Sequence, residues 1–255
     1  MAAEDGETSD DRVLGGRLVL RQPWRGHRFG HDAILLAAAT GGQAGQRAVE
    51  LGAGVGAAGL ALASRIGGLA VTLVEVDPAL AALAEDNAKR NGLADRARAV
   101  CLDVTATASS FSAAGLPSRS AERVLMNPPF NVGDNASPDA ARQLAYTASP
   151  AVLEQWIDCA ARLLVERGVL TLIWRADGLA GVLAAFSRGF GALAVLPVYP
   201  KPQAPAIRIL VRAQLGSRAP LALFPGLVLA DADGVPSPAA EAILRDGQAL
   251  AIARL

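Results

Sequence analysis

Between residues 47 and 213 the chain alternates short apolar runs with longer stretches whose apolar residues recur at helical spacing. Arg47–Leu51, Leu69–Val74, Arg98–Leu102, Val124–Met126 and Gly168–Ile173 read as buried strands. A strand covered on both faces shows up as a nearly continuous apolar run. The segments between them read as helices: Gly56–Ser64, Pro78–Asn91, a helix starting at Ser149-Pro150 and reaching Leu164, and Gly178–Arg188. Pro78 and Pro150 fall at first-turn positions, where the missing N–H costs nothing, and Asn91-Gly92 supplies a stop. Strands alternating with helices predict a mostly parallel sheet with helices on both faces. Leu193–Val198 and Ile207–Arg212 are joined only by the Pro-rich link 200–205, too short for a parallel crossover. They predict an antiparallel edge hairpin and bring the expected sheet to seven strands.

The flanks follow weaker patterns. Residues 1–11 form an acidic, polar tail expected to lack structure, without the pattern of a signal or transit peptide. Residues 12–46 read as an arm and helix covering the active site. In this part Arg17–Gln22 is a short strand or extended arm, and Asp32 is the N-cap of a helix over Ala33–Thr40. Residues 47–213 form the core, and 214–255 an extension packed on it, with a short helix from Ser237-Pro238. The Ala/Ser/Thr-rich stretch 105–121 reads as a poorly ordered surface connection.

Composition narrows the class. At 255 residues and 52% apolar, the chain is long enough for one sizeable α/β core. No apolar run reaches the ~18 residues of a spanning helix, so no membrane partner is expected. Cys101 and Cys159 form no metal or redox spacing, which predicts reduced thiols, no metal and a cytoplasmic protein. The net charge is zero, against a strongly electrostatic nucleic-acid binder, yet the charges are unevenly placed. Arg12, Arg17, Arg21, Arg25 and Arg28 occur with no acid before Asp32. Arg175, Arg188, Lys201, Arg208, Arg212 and Arg218 are opposed only by Asp177. These stretches are either ordinary solvated faces or a phosphate-binding patch.

Candidate chemistry collects at strand ends. Val49-Glu50-Leu51-Gly52-Ala53-Gly54-Val55-Gly56 is a strand leading through a glycine loop into a helix. Glycines let the backbone turn tightly and approach a ligand closely. A carboxylate at Glu50 would repel a pyrophosphate and attract an ammonium, which favours S-adenosylmethionine over a dinucleotide. Glu75 ends the next strand, where it suits both ribose hydroxyls, and Asp103 ends the third, where it suits the adenine amino group. Individually these acids read equally well as caps or solvated loop residues; together they are in register with the glycine loop.

Asn127-Pro128-Pro129-Phe130 follows the fourth strand. Two prolines cannot continue a ladder, so the tetrapeptide forms a stiff loop. An amide oxygen and prolyl carbonyls accept the hydrogens of a planar –NH₂ group, and a ring stacks on its plane. His27 and His31 read as surface or structural residues, and Trp156 as packing.

This order of pieces resembles the class I S-adenosylmethionine-dependent methyltransferases, whose Asn-Pro-Pro-aromatic members methylate adenine N6, guanine N2 or glutamine N5. The segment Leu14–Leu18, then Gln22-Pro23 and Gly26–Ala38, is similar to the bacterial valine-tRNA adenine-N6 methyltransferases. The resemblance implies a Rossmann-like fold and S-adenosylmethionine held by Glu50, Gly52, Gly54, Gly56, Glu75, Val76, Asp103 and Asn127. It implies Asn127, Pro128 and Phe130 as catalytic residues, with Pro129, Phe130, Trp24, Arg25 and Arg28 against a tRNA or other nucleic-acid substrate. Direct in-line transfer to an adenine N6 amine is the favoured activity. Glutamine-N5 and small-molecule methylation remain open, as does a monomer or homodimer.

Overall fold

In each parallel strand successive side chains point to opposite faces, and the burial pattern divides accordingly. In a computed structural model describing residues 8–25, 28–129 and 150–254, Ala48, Val71, Leu73, Leu125 and Ile173 pack into one core. Val49, Leu51, Val74, Val124, Met126, Leu170 and Leu172 pack into the other. The strands carrying them are β3 (Arg47–Leu51), β4 (Ala70–Glu75), β5 (Ala97–Cys101), β6 (Ala121–Met126) and β7 (Leu164–Arg175). Helices α1 (His31–Ala39), α2 (Ala57–Arg65) and α3 (Pro78–Arg90) contribute to the first core. Helices α4 (Ala108–Ala113), α5 (Pro150–Leu163) and α6 (Leu179–Phe186) contribute to the second. Helices therefore cover both faces, as the alternation predicts.

The main sheet has nine strands rather than seven. Its order is β10-β8-β9-β7-β6-β3-β4-β5, with β11 also on β8. Strands β8 (Phe190–Tyr199) and β9 (Arg208–Leu215) form the expected antiparallel hairpin, but β9 lies inside, paired with β7. The additional strands are β10 (Ala222–Leu223) and β11 (Leu227–Val228), each parallel to β8. Two-residue strands carry no readable periodicity. Helix α7 (Pro238–Leu244) buries Ile243 in the first core, and Leu250 donates its backbone N–H to the Ala38 carbonyl at 2.9 Å. Residues 238–254 thus pack beside α1, while β10 and β11 lie on β8.

Three local expectations change. Residues 8–11 are not part of an unstructured tail: β1 (Thr8–Val13) pairs antiparallel with β2 (Leu18–Pro23). Residues 105–121 contain α4, capped by the Thr107 hydroxyl, with Phe111 1% and Leu116 4% exposed. Helix α1 is capped by Gly30, while Asp32 sits in its first turn and pairs with Arg208 at 2.8 Å. No helix among the described residues is long and apolar enough to cross a membrane.

Strand β3 pairs with β4 on one side and β6 on the other. The chain leaves β3 outward through β4 and β5, then returns to begin β6. Open α/β sheets bind ligands at such a reversal, beyond the carboxyl ends of the strands. Leu51 is in register with Met126, so the Gly52 loop and Asn127 leave neighbouring strands at the same level.

Candidate active site

The glycine loop is shaped by backbone angles that side chains disfavour. Gly52, Gly54 and Gly56 have φ of 68°, 55° and 85°, the left-handed region in which glycine carries no Cβ penalty. A Cβ on Gly54 would meet nothing within 4 Å, so the loop opens outward there. A Cβ on Gly52 would collide with the Trp156 ring, and one on Gly56 would lie 2.9 Å from Leu73 Cδ1. Trp156 belongs to α5, the helix that follows the Asn-Pro-Pro segment. It therefore walls the loop rather than only filling the core, and the sequence reading missed this.

Glu75 joins the loop to the next strand end. Its Oε2 accepts the Gly54 N–H at 2.7 Å and its Oε1 accepts the Asp77 N–H at 2.9 Å. A carboxylate has about four lone-pair directions, so acceptor capacity remains for a ribose diol. Val76 beside it is 54% exposed, an apolar surface suited to one face of an adenine. Asp103 is exposed at the end of β5, and its Oδ1 accepts from both the N–H and the hydroxyl of Thr105, each at 2.7 Å. Asp77 serves as the α3 cap, accepting from Ala79 and Leu80. An open glycine loop, a buried rim carboxylate and an exposed valine together fit an adenosine carrying no phosphate.

Glu50 does not take the place expected of it. Its side chain follows strand alternation to the face of Ala48, beneath α2, and is 4% exposed. Its Oε2 accepts the Gly59 N–H at 2.7 Å. Gly59 makes the approach possible, since a Cβ there would sit 2.7 Å from the same oxygen. Burial pushes the Glu50 carboxyl up to about 8; the Gly59 N–H opposes this and the Glu75 charge adds to it. A carboxyl facing the helix amides anchors α2 and offers no exposed charge to an ammonium group. The signal was present: Glu50 lies between Val49 and Leu51, both of which point to the other core.

Asn127 leaves β6 beside the loop. Its Oδ1 is buried and has no hydrogen-bond partner among the described residues. Buried acceptors are nearly always satisfied, so this oxygen has capacity for a donor that the described residues do not supply. Pro128 is buried and Pro129 half-buried. Phe130 lies outside the described residues, as does His27.

Of the residues expected to meet a nucleic acid, Trp24 is 62% exposed and Arg25 is exposed. Arg28 is occupied internally: its guanidinium donates to Ser9 Oγ at 2.9 Å, the Pro23 carbonyl at 2.7 Å and Asp11 Oδ2 at 2.6 Å. It also lies 5.8 Å from the Trp24 ring centroid. In this structure Arg28 ties the β1–β2 hairpin together and props Trp24, so its guanidinium, expected against a nucleic acid, is engaged within the chain. No cluster of His, Cys, Asp and Glu suited to a metal occurs among the described residues.

A family model described as methyltransferase small domain matches residues 30–196, from α1 into β8. The chain belongs to the methyltransferase small domain family. S-adenosylmethionine is the cofactor of these methyltransferases, and the loop, rim acid and valine described above are where such a methyltransferase would hold it. The chain is 32% identical over 156 residues to the tRNA1(Val) (adenine(37)-N6)-methyltransferase of Porphyromonas gingivalis, spanning 60% of each chain. The Dickeya chrysanthemi protein of the same name is 27% identical over 226 residues, covering 86% of this chain and 87% of that one. Among solved structures, a predicted O-methyltransferase from Agrobacterium tumefaciens superposes with a TM-score of 0.72 at 30% identity. The match covers 86% of this chain and 98% of that chain.

Proposed function

We propose that this methyltransferase transfers a methyl group from S-adenosylmethionine to the exocyclic N6 amine of an adenine in tRNA, in the cytoplasm. The observation that carries the acceptor chemistry is the buried Oδ1 of Asn127, one strand from the glycine loop and without a hydrogen-bond partner among the described residues. An exocyclic amine donates two hydrogens, and Asn127 Oδ1 takes one while the Pro128 carbonyl takes the other. Holding both hydrogens in acceptors directs the nitrogen lone pair out of the base plane, which in-line displacement requires. A hydroxyl acceptor has one hydrogen and leaves one of these acceptors empty.

S-adenosylmethionine, when bound, supplies an electrophilic methyl on a sulfonium. The chain's own part is positioning. Glu75 and Val76 fix the nucleoside end, Gly52–Gly56 lets the backbone come close, and Asn127 fixes the amine. The amine needs no prior deprotonation, because the proton made surplus by methylation leaves afterwards. Phe130 is assigned to stacking on the base. An adenine inside an RNA loop must first be unstacked, at a cost of a few kcal/mol, and Trp24, exposed on the hairpin, suits the neighbouring base. The tRNA reading is supported by the names of the Porphyromonas and Dickeya relatives.

The test is incubation with tritiated S-adenosylmethionine and total tRNA from a strain lacking the gene, followed by nucleoside analysis. Label in N6-methyladenosine is the expected result. Label in a protein glutamine, in guanine N2 or in a hydroxyl, with none in tRNA adenine, overturns the acceptor assignment.

A further inference from the structure

Helix α3 and its C-cap carry two asparagines, Asn87 and Asn91, four residues apart, whose amides face the backbone of β2. Asn87 Oδ1 accepts the Arg21 N–H at 2.7 Å, and its Nδ2 donates to the Arg21 carbonyl at 2.9 Å. Asn91 repeats the pattern on Val19, with both bonds at 2.9 Å. The match is geometric. Four residues of helix advance about 6 Å, and two residues of strand advance about 6.6 Å. The two side-chain amides therefore continue a ladder along β2, as a neighbouring strand would.

The two asparagines differ in one bond. The second Nδ2 hydrogen of Asn87 goes to the Val55 carbonyl at 3.0 Å, inside the glycine loop. That of Asn91 returns to the carbonyl of Asn87 within α3, at 2.8 Å. Asn87 is fully buried. One side chain thus clamps both the N-terminal hairpin and the loop between Gly54 and Gly56. Moving either element by an ångström breaks its bond to the side chain that holds the other.

We propose that Asn87 is a positioning residue that couples docking of the N-terminal hairpin to the conformation of the cofactor loop, so that a ligand on the loop stiffens the hairpin. Coupling of this kind is reciprocal in binding free energy, so a substrate held by the hairpin tightens cofactor binding. The inference rests on reading Gly52–Gly56 as the S-adenosylmethionine loop.

The test uses the full chain and S-adenosylhomocysteine as probe. Calorimetric titration of Asn87→Ala should give about tenfold weaker affinity, in keeping with the loss of a buried hydrogen bond. Asn91→Ala loosens the same hairpin without touching the loop and should stay within about twofold of wild type. In wild type, amide hydrogen exchange at Val19 should slow on adding the probe, and Asn87→Ser should abolish that response. Equal losses in Asn87→Ala and Asn91→Ala reduce Asn87 to a structural residue and overturn the proposal. So does unchanged exchange at Val19 with the probe bound, an outcome read in the native protein even if Asn87 variants fail to fold. Absence of any binding to wild type overturns the loop reading itself and the coupling with it.

Discussion

At the carboxyl edge of the sheet, Glu75 gathers the amides of Gly54 and Asp77, twenty-one and two residues away. The β1–β2 hairpin is held by Asn87 of α3 and its C-cap Asn91, sixty-six and seventy-two residues from their partners, and by Arg90, eighty from Asp10. The first region is organised by residues near one another along the chain, in a pattern that glycines and strand ends spell out. The second is organised by one helix acting at a distance. The difference separates chemistry from docking. Residues proposed to face the ligands sit on short, stiff connections, while the part proposed to meet a large substrate is attached through buried amides and half-exposed ion pairs.

The sharpest way to break this comparison is at Asn127. If the edge of the sheet carries the chemistry, Asn127→Ala should lower single-turnover methyl transfer by about 10²-fold or more, because the amine is then free to turn away. The hairpin should be untouched, so tRNA binding by filter retention should change less than about threefold. A rate close to wild type would move the chemistry elsewhere.

Next in size is Glu75. Glu75→Ala removes the acceptor of the Gly54 and Asp77 amides together with the proposed diol contact, and hydrogen bonds to a charged group are worth about 1.5–3 kcal/mol. S-adenosylhomocysteine affinity should fall about 10- to 100-fold by calorimetry, with a cooperative melt retained. Unchanged affinity would remove Glu75 from the cofactor site.

Glu50 sharpens the contrast between the rim acid and the buried one. Its folded carboxyl is pushed up to about 8, while an unfolded glutamate ionises near 4.3. Between those values the folded chain binds more protons than the unfolded chain. This group's contribution to stability therefore falls as pH rises through that window and is level outside it. One proton limits the slope to about 1.4 kcal/mol per pH unit. Urea unfolding of wild type and Glu50→Gln from pH 5 to 9 should give a difference that shrinks with this sign. Parallel curves would mean that Glu50 is ionised when folded.

The same division explains what was legible in the sequence. The glycine loop, Glu75 and the strand–helix alternation of 47–213 are local patterns; the first three core strands lie within a residue of their expected bounds, while β6, β7, β8 and β9 extend three or four residues beyond theirs. Asn127 was legible because two prolines forbid continuing the strand. The strand at Thr8–Val13 was not: Asp10 and Asp11 resemble a tail until Arg21, Arg28 and Arg90 stand opposite them. Helix α4 hid in a stretch poor in large residues, where Phe111 is its one buried side chain. Strands β10 and β11 are too short for any period and depend on the edge that β8 offers. Glu50 was misplaced for a simpler reason: position in the motif outweighed strand alternation, and alternation decides where a side chain points.

The smallest expected effect tests how the hairpin is attached. Asp10 bridges Arg21 at 3.3 Å and Arg90 at 2.6 Å, with the three side chains 28–43% exposed. Half-exposed ion pairs contribute about 0.2–1 kcal/mol and are screened by salt. Asp10→Asn should therefore shift the melting temperature by only a few degrees at low salt, and most of that shift should vanish in about 0.5 M salt, where the Debye length falls below the size of a side chain. Asn87→Ala, by contrast, should destabilise the protein equally at both salt concentrations, because a buried amide ladder involves no screened charge. If Asp10→Asn proved the larger loss, the ion pairs rather than the asparagines would be what fastens the hairpin to α3.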